Sequence, residues 1–360
     1  MKTQPELSHE LFKLDATVIS SLLQKSIRRG ELIVAQRAAL TLLMRRGPAI
    51  WRRLLVIAFE DVGIGDPDLL LEAVSLATDA SSRKCLGGNR AAAVRLAGLL
   101  ANAPKDRSTN HLINGAAFHP RLESIRKALR RAPLTDCLAV VEDPDWPLPE
   151  RAVAAWYASG MPLGRDGAEN GDLHALLDCF RGQGVPEELI GATATAARQI
   201  GEPIAILVPL LWLASRAVGF SQAQQVPVPP TRVAAGVPLY SLDKHTRLGR
   251  AAIAKFAAEN GAVRQFLDGH VEVGRRRDAV MIAAYHVDGI PIANRFDWPA
   301  SHALEAFGRE TDLLHAGVPS EAHDRLCGLV KENLEHLNQI RAAVLSPSQA
   351  IKRGGGESQS

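Results

Sequence analysis

Aromatic residues are scarce in this chain: Phe, Trp and Tyr make up 5% of its 360 residues. Sheets favour β-branched and aromatic side chains, and no run alternates apolar with polar residues long enough to build a sheet of any size. The same scarcity removes the row of stacking faces that a single-strand nucleic-acid groove uses. Cys85, Cys137, Cys179 and Cys327 are scattered, with no C-x-x-C pair and no histidine cluster beside them. That is the pattern of thiols in a reducing compartment, not of disulfides or zinc. The 11 histidines include no H-x-x-x-H or HExxH spacing, so no metal site and no cofactor are expected. No G-x-x-x-x-G-K-[ST] occurs, which excludes a P-loop; the cluster Gly87-Gly88-Asn89-Arg90 lacks the lysine and the preceding strand. The most apolar stretch, Pro203 to Ala214, is too short to cross a bilayer, which takes about 20 residues. MKTQPELSHE has no signal-peptide core, so the expectation is a cytoplasmic protein without membrane contact.

What is present favours helices. Hydrophobic residues reach 46% and charged ones 22%, and the abundant Ala, Leu and Arg lose little entropy in a helix. The predicted fold class is all-α, a multi-helical array in several parts. Helices are expected over 7–29, 31–46 and 49–62, with Gly30 and Gly63 as stops and Asp66-Pro67 opening the next. Further helices are read at 69–80, 91–102 and 121–131, with 81–89 as a loop. Ala132-Pro133 marks a first boundary. Residues 134–221 form a second helical part, 222–238 a Pro-rich linker, 239–345 a third part with long helices over 241–260, 262–285 and 320–345, and 346–360 a disordered tail.

Charge divides the same way. Residues 1–133 carry 21 Lys and Arg against 12 Asp and Glu, a net of +9, and the remainder nets −6. A basic part can face a polyanion or dock onto an acidic part. Lys25, Arg28, Arg29, Arg45, Arg46, Arg52 and Arg53 are candidate DNA contacts, although cations in a last helical turn also complement the helix dipole without any ligand. Glu60 and Asp61 close an apolar helix where the dipole disfavours carboxylates, so they call for arginine partners; with Trp51 they are candidate subunit-interface residues. Lys244, His245, Arg247 and Arg250 surround the start of a helix and form a candidate anion site, with Ser241 or Asp243 as an ordinary N-cap the alternative. Arg275 to Arg277 read as a solvated or acid-paired face. Tyr285, His286 and Asp288 lie too close in sequence to share a helix face.

Three segments carry a resemblance: QKSIRRG at Gln24–Gly30, WRRLLVIAFEDVGIGDP at Trp51–Pro67 and LANAPKDRSTN at Leu100–Asn110. In order and spacing, residues 15–133 resemble the C-terminal helical region of the RarA/MgsA family of AAA+ ATPases, bacterial relatives of clamp-loader subunits that act at stalled replication forks. The chain departs from the family in a shorter first turn and in APKDRSTN. The resemblance implies an oligomerisation collar without its ATPase domain. The expected function is therefore a non-ATPase, non-enzymatic DNA replication or repair accessory protein. It would form a homo-oligomer and bind DNA or a separate AAA+ ATPase or replication protein. A protein-binding scaffold without nucleic-acid contact is the alternative reading. Catalysis centred on Asp243, His245 and Arg247 finds no nucleophile–base pair or metal set in the sequence.

Overall fold

The computed structural model describes residues 11, 13–163, 170–217 and 221–345. The expected tail at 346–360 and part of the first helix lie outside these residues. The fold is all-α. The first part contains α1 (Ala16–Arg28), α2 (Leu32–Arg46), α3 (Ala49–Ile57), α4 (Pro67–Thr78), α5 (Ala80–Cys85), α6 (Asn89–Asn102), α7 (Ser108–Phe118) and α8 (Glu123–Leu129). Then follow α9 (Leu134–Glu142), α10 (Leu148–Ser159), α11 (Leu173–Gly182), α12 (Glu187–Ile200) and α13 (Leu207–Ala217). Beyond three short strands come α14 (Arg247–Glu259), α15 (Gly261–His270), α16 (Arg276–Ala284), α17 (Ser301–His315), α18 (His323–Glu332) and α19 (Leu334–Leu345).

Local chemistry accounts for many boundaries. Asp15 caps α1 by accepting from Thr17 N, and Asp66 caps α4 by accepting from Leu69 N at 3.1 Å, ahead of Pro67. After α3 the backbone continues as a π-helical turn, Ala58–Val62, which Gly63 ends at φ +50°. A Cβ on Gly63 would stand 2.9 Å from the Asp106 carbonyl oxygen. Both the dihedral and this approach demand glycine. Gly63→Ala should cost about 1–3 kcal/mol, read as a lowered urea midpoint; an unchanged midpoint would show that the turn accommodates a side chain.

Two apolar cores organise the helices. The larger runs from α1 through α13 without a break at 133: Leu122, Leu129, Cys137 and Val141 belong to it together, as do Trp298, Leu304 and Phe307 from the C-terminal part. The smaller gathers α14 to α19 around Phe256, Val280, Leu313, Leu326 and Leu337. The sequence boundary at 133 therefore separates charge but not packing. Of the four thiols, Cys137 and Cys179 are buried, Cys327 is half-buried and Cys85 is exposed. Among the described residues no helix is long and apolar enough to cross a membrane.

Several expected elements come out differently. The 81–89 loop contains α5, capped by Asp79. The single helix expected over 262–285 breaks at Val271, whose backbone is extended, and 320–345 breaks at Asn333. Helix α17 was not anticipated. The 222–238 segment is not a free linker: Gln222–Gln225 (β1) pairs antiparallel with Asn294–Asp297 (β4), Gln222 opposite Asp297, and Val233–Ala234 (β2) pairs with Val237–Pro238 (β3). Its carbonyl at Pro229 accepts from Arg29 Nη1 at 2.6 Å, and Thr231 bonds Glu31. These contacts strap the C-terminal part onto α1.

Candidate functional site

Where the two cores meet, the contact is made by buried charge. Helix α1 supplies Lys25 and Arg28, and its C-cap is Arg29, all 5% exposed or less. Two π-helical turns face it, Ala58–Val62 from the first core and Tyr285–Gly289 from the second. The extra residue in each turn re-aims its side chains. Arg28 spans both: Nε donates to Asp61 at 2.7 Å and Nη2 to Glu60 at 3.0 Å, while Nη1 donates to the Tyr285 hydroxyl at 3.1 Å and the Gly289 carbonyl at 2.9 Å. Arg29 donates to Asp288 at 2.6 Å, and the other oxygen of Asp288 accepts from Arg341, also at 2.6 Å. Lys25 bonds Asp243 and donates to Ser21 Oγ at 2.6 Å. Arg107 adds a second guanidinium on Asp61 at 2.9 Å. Burial would lift the Asp61 carboxyl, and Arg28 and Arg107 more than reverse this, holding it below the ordinary carboxylate range.

Above this network lies an open polar groove in two connected parts that share Lys244, His245 and Asp312. The inner pocket, about 440 Å³, lies between α1, α3 and α7 on one side and the 243–245 turn, Tyr285 and α17 on the other. The outer trough, about 410 Å³, runs between α14 and α16 and is lined by Arg250, Arg275 and Arg277. The 243–245 turn is held by close packing: a Cβ on Gly249 would lie 2.1 Å from the Asp243 carbonyl oxygen. Thr246, not Ser241 or Asp243, caps α14 by accepting from Gly249 N at 3.0 Å. This leaves the Asp243 carboxylate for Lys25 and aims Lys244 across the Tyr285 ring, 4.5 Å from its centroid.

The groove's cations are not matched by carboxylates. Arg53 donates to the neutral Gln24 amide, Arg250 to the Lys244 carbonyl and Arg275 to the His315 carbonyl. Among the described residues, none of Arg53, Lys244, Arg250, Arg275 and Arg277 forms an ion pair. Of the carboxylates lining the groove, Glu60 pairs with Arg28 and Arg107, Asp243 with Lys25, and Asp312 meets the Nε2 of His286 at 3.0 Å, while Asp278 stands on the trough wall beside Arg277 without an ion pair among the described residues. Ser21 beside Lys25 has the outline of a nucleophile and its base. Burial draws the Lys25 amine down only to about 8, so at neutral pH it is chiefly an ammonium held by Asp243. Among the described residues no group of three or more His, Cys, Asp or Glu is placed to hold a metal.

The structure redistributes the candidate residues. Lys25, Arg28 and Arg29 are spent on internal carboxylates and are withdrawn from phosphate contact. Arg53 lines the inner pocket; Arg45, Arg46 and Arg52 are exposed on other faces, Arg52 beside Glu202 at 3.3 Å. Trp51 is buried beneath Arg83, whose guanidinium lies 4.9 Å from its ring, and Asp61 is fully buried, so neither offers a subunit surface; Glu60 borders the groove. Lys244, His245 and Arg250 meet in the groove as an anion site would require, while Arg247 is exposed and does not line it. Arg275 and Arg277 join them; their run of arginines was visible in the sequence but its fold neighbours were not. Tyr285 and Asp288, three residues apart in the π turn, do converge on α1, Tyr285 through Arg28 and Asp288 through Arg29. No family model, no curated protein and no solved structure matches this chain.

Proposed function

We propose that this chain is a non-ATPase accessory protein of DNA replication or repair that assembles with itself and binds DNA through the polar groove. The observation that carries the DNA contact is the row of five cations without carboxylate partners, Arg53, Lys244, Arg250, Arg275 and Arg277, along one continuous depression. Phosphates are the anions that such a row meets in series. The replication setting, and a separate AAA+ ATPase as a further partner, rest on the resemblance of residues 15–133 to the RarA/MgsA collar. Self-assembly also has a surface available: Ile33 and Met44 on α2 are 51% and 43% exposed, with Leu40 between them on the same face.

Binding of a fluorescent duplex should weaken with salt along a log–log slope of about −4.5, five contacts at roughly −0.9 each. The double variant Lys244→Ala/Arg277→Ala should flatten the slope by about 2. A flat response in the native protein defeats the DNA reading; loss of slope in Arg45→Ala/Arg46→Ala instead moves the contact to the end of α2. Light scattering that finds a strict monomer defeats the assembly.

A scaffold reading draws support from a different observation, the docking of Lys25 onto Asp243, of Arg29 onto Asp288 and of Arg28 onto the Tyr285 hydroxyl and the Gly289 carbonyl. That contact uses the basic face inside the molecule. Under this reading the protein retains its partner and never shifts DNA in a gel.

A further inference from the structure

We infer that the inner pocket is a binding site for a phosphate monoester, carried either on the terminus of a DNA strand or on a free nucleotide. The inference rests on the groove being a phosphate-binding surface and adds what kind of phosphate its inner end accepts. The pocket is walled by α1, α3 and α7 opposite the 243–245 turn, Tyr285 and α17. The pocket joins the trough through the shared Lys244 and His245, so a chain end or a nucleotide can reach it from the groove.

The donors left unused inside are those that a terminal phosphate needs. Arg53 lines the pocket with a guanidinium that donates to the neutral Gln24 amide and to no carboxylate, and its Nε–H, closed off from solvent, has no acceptor of its own. Lys244 holds its ammonium at the rim over Tyr285. The Asn114 amide lines the wall and has no hydrogen-bond partner among the described residues. The three carboxylates in the wall, Glu60, Asp243 and Asp312, are each already taken by a donor from within the molecule. Guanidinium, ammonium and amide therefore face the cavity with few competing acceptors. A monoester presents three terminal oxygens to such a set, where the diester of a strand interior presents two. Charge-assisted hydrogen bonds of this kind are among the stronger ones.

The test compares oligonucleotides of one sequence bearing a 5′-phosphate, a 5′-hydroxyl, a 3′-phosphate or no end at all, as a closed circle, by anisotropy at fixed ionic strength. A nucleoside monophosphate and inorganic phosphate serve as competitors. A phosphorylated end should bind about tenfold tighter than a hydroxyl end, the yield of one charge-assisted hydrogen bond. Arg53→Gln should bring the two ends to equal affinity, and Asn114→Asp, which sets a carboxylate against the phosphate, should do the same. Arg277→Ala should weaken both equally and leave the ratio intact. DNA binding that is indifferent to the end overturns the pocket while leaving the groove reading in place. If no oligonucleotide binds but the nucleoside monophosphate does, and Arg53→Gln abolishes that binding, the groove reading fails and the pocket stands. Absence of both overturns the pocket.

Discussion

Arg28→Met should cost about 3–5 kcal/mol of folding stability, the range for removing one partner of a buried ion pair. Arg28 is 1% exposed and donates to four oxygen acceptors on two π-helical turns that belong to different cores. Its removal leaves Asp61, which is fully buried, with Arg107 and Gln24 but without its closest cation. Tyr285 and the Gly289 carbonyl lose their donor in the same step. Lysine should recover little, since one ammonium cannot fork between Asp61 and Gly289 as a planar guanidinium does. The contrast is Arg52→Ala, which breaks a pair with Glu202 that is more than half exposed on both sides and should change stability by less than about 1 kcal/mol. Urea unfolding of the three variants settles the order. A loss below about 1 kcal/mol for Arg28→Met would mean that the two cores hold together without this residue.

Lys105 should make stability rise with pH. Its ammonium is fully buried and donates only to the carbonyls of Ala101 and Ala103, at 2.6 and 2.7 Å, where it closes the end of α6. Burial draws its pKa down to about 7, with Asp61 pulling weakly the other way. The unfolded chain keeps this proton up to the ordinary lysine range near 10.5, so above pH 7 the unfolded state binds more protons than the folded one. Stability contributed by this group therefore increases from about pH 7 upward, and below that value the penalty of a buried ammonium is at its full size. One proton is worth at most about 1.4 kcal/mol per pH unit, which gives roughly 2 kcal/mol between pH 7 and 9. Lys25, lowered to about 8, adds to the rise in the upper half of that window. Lys105→Met also leaves two carbonyls short of a donor, but that offset does not vary with pH. The difference between the wild-type and Lys105→Met unfolding energies across pH 6, 7, 8 and 9 isolates the titration. Parallel curves would show that the amine stays protonated inside the fold.

Both predictions concern cations whose environment the sequence described only in part. The three basic clusters were legible as helix-end charge, and Glu60-Asp61 as acids in want of a cation. Arg52 and Arg53 were the nearest candidates for those acids in sequence, but the fold gives them Arg28 and Arg107 instead. The second face of Arg28 was not legible either. Tyr285 and Gly289 lie more than 250 residues further along, in a stretch whose helical spacing gave no reason to expect a π turn. The 222–238 segment shows the same limit. Its prolines announce a break in helix, but whether such a break hangs free or lies against α1 depends on carbonyls that pair with Arg29 and Asn294. Helix α17 escaped notice between Pro299 and His315, yet it supplies Asp312 to the groove and Phe307 to the larger core.

From the sequence alone followed the helical class, the caps at Asp66 and Gly63, the absence of a nucleotide loop and the unequal division of charge. Those properties are local, set by propensity, dihedral preference and the spacing of apolar residues along a few turns. The tertiary structure alone decided which arginines are spent and which remain free. A charge is satisfied by whatever the fold brings within about 4 Å of it: the carboxylates for Lys25 and Arg29 arrive from more than 200 residues along the chain, while among the described residues none arrives for Lys244 or Arg277.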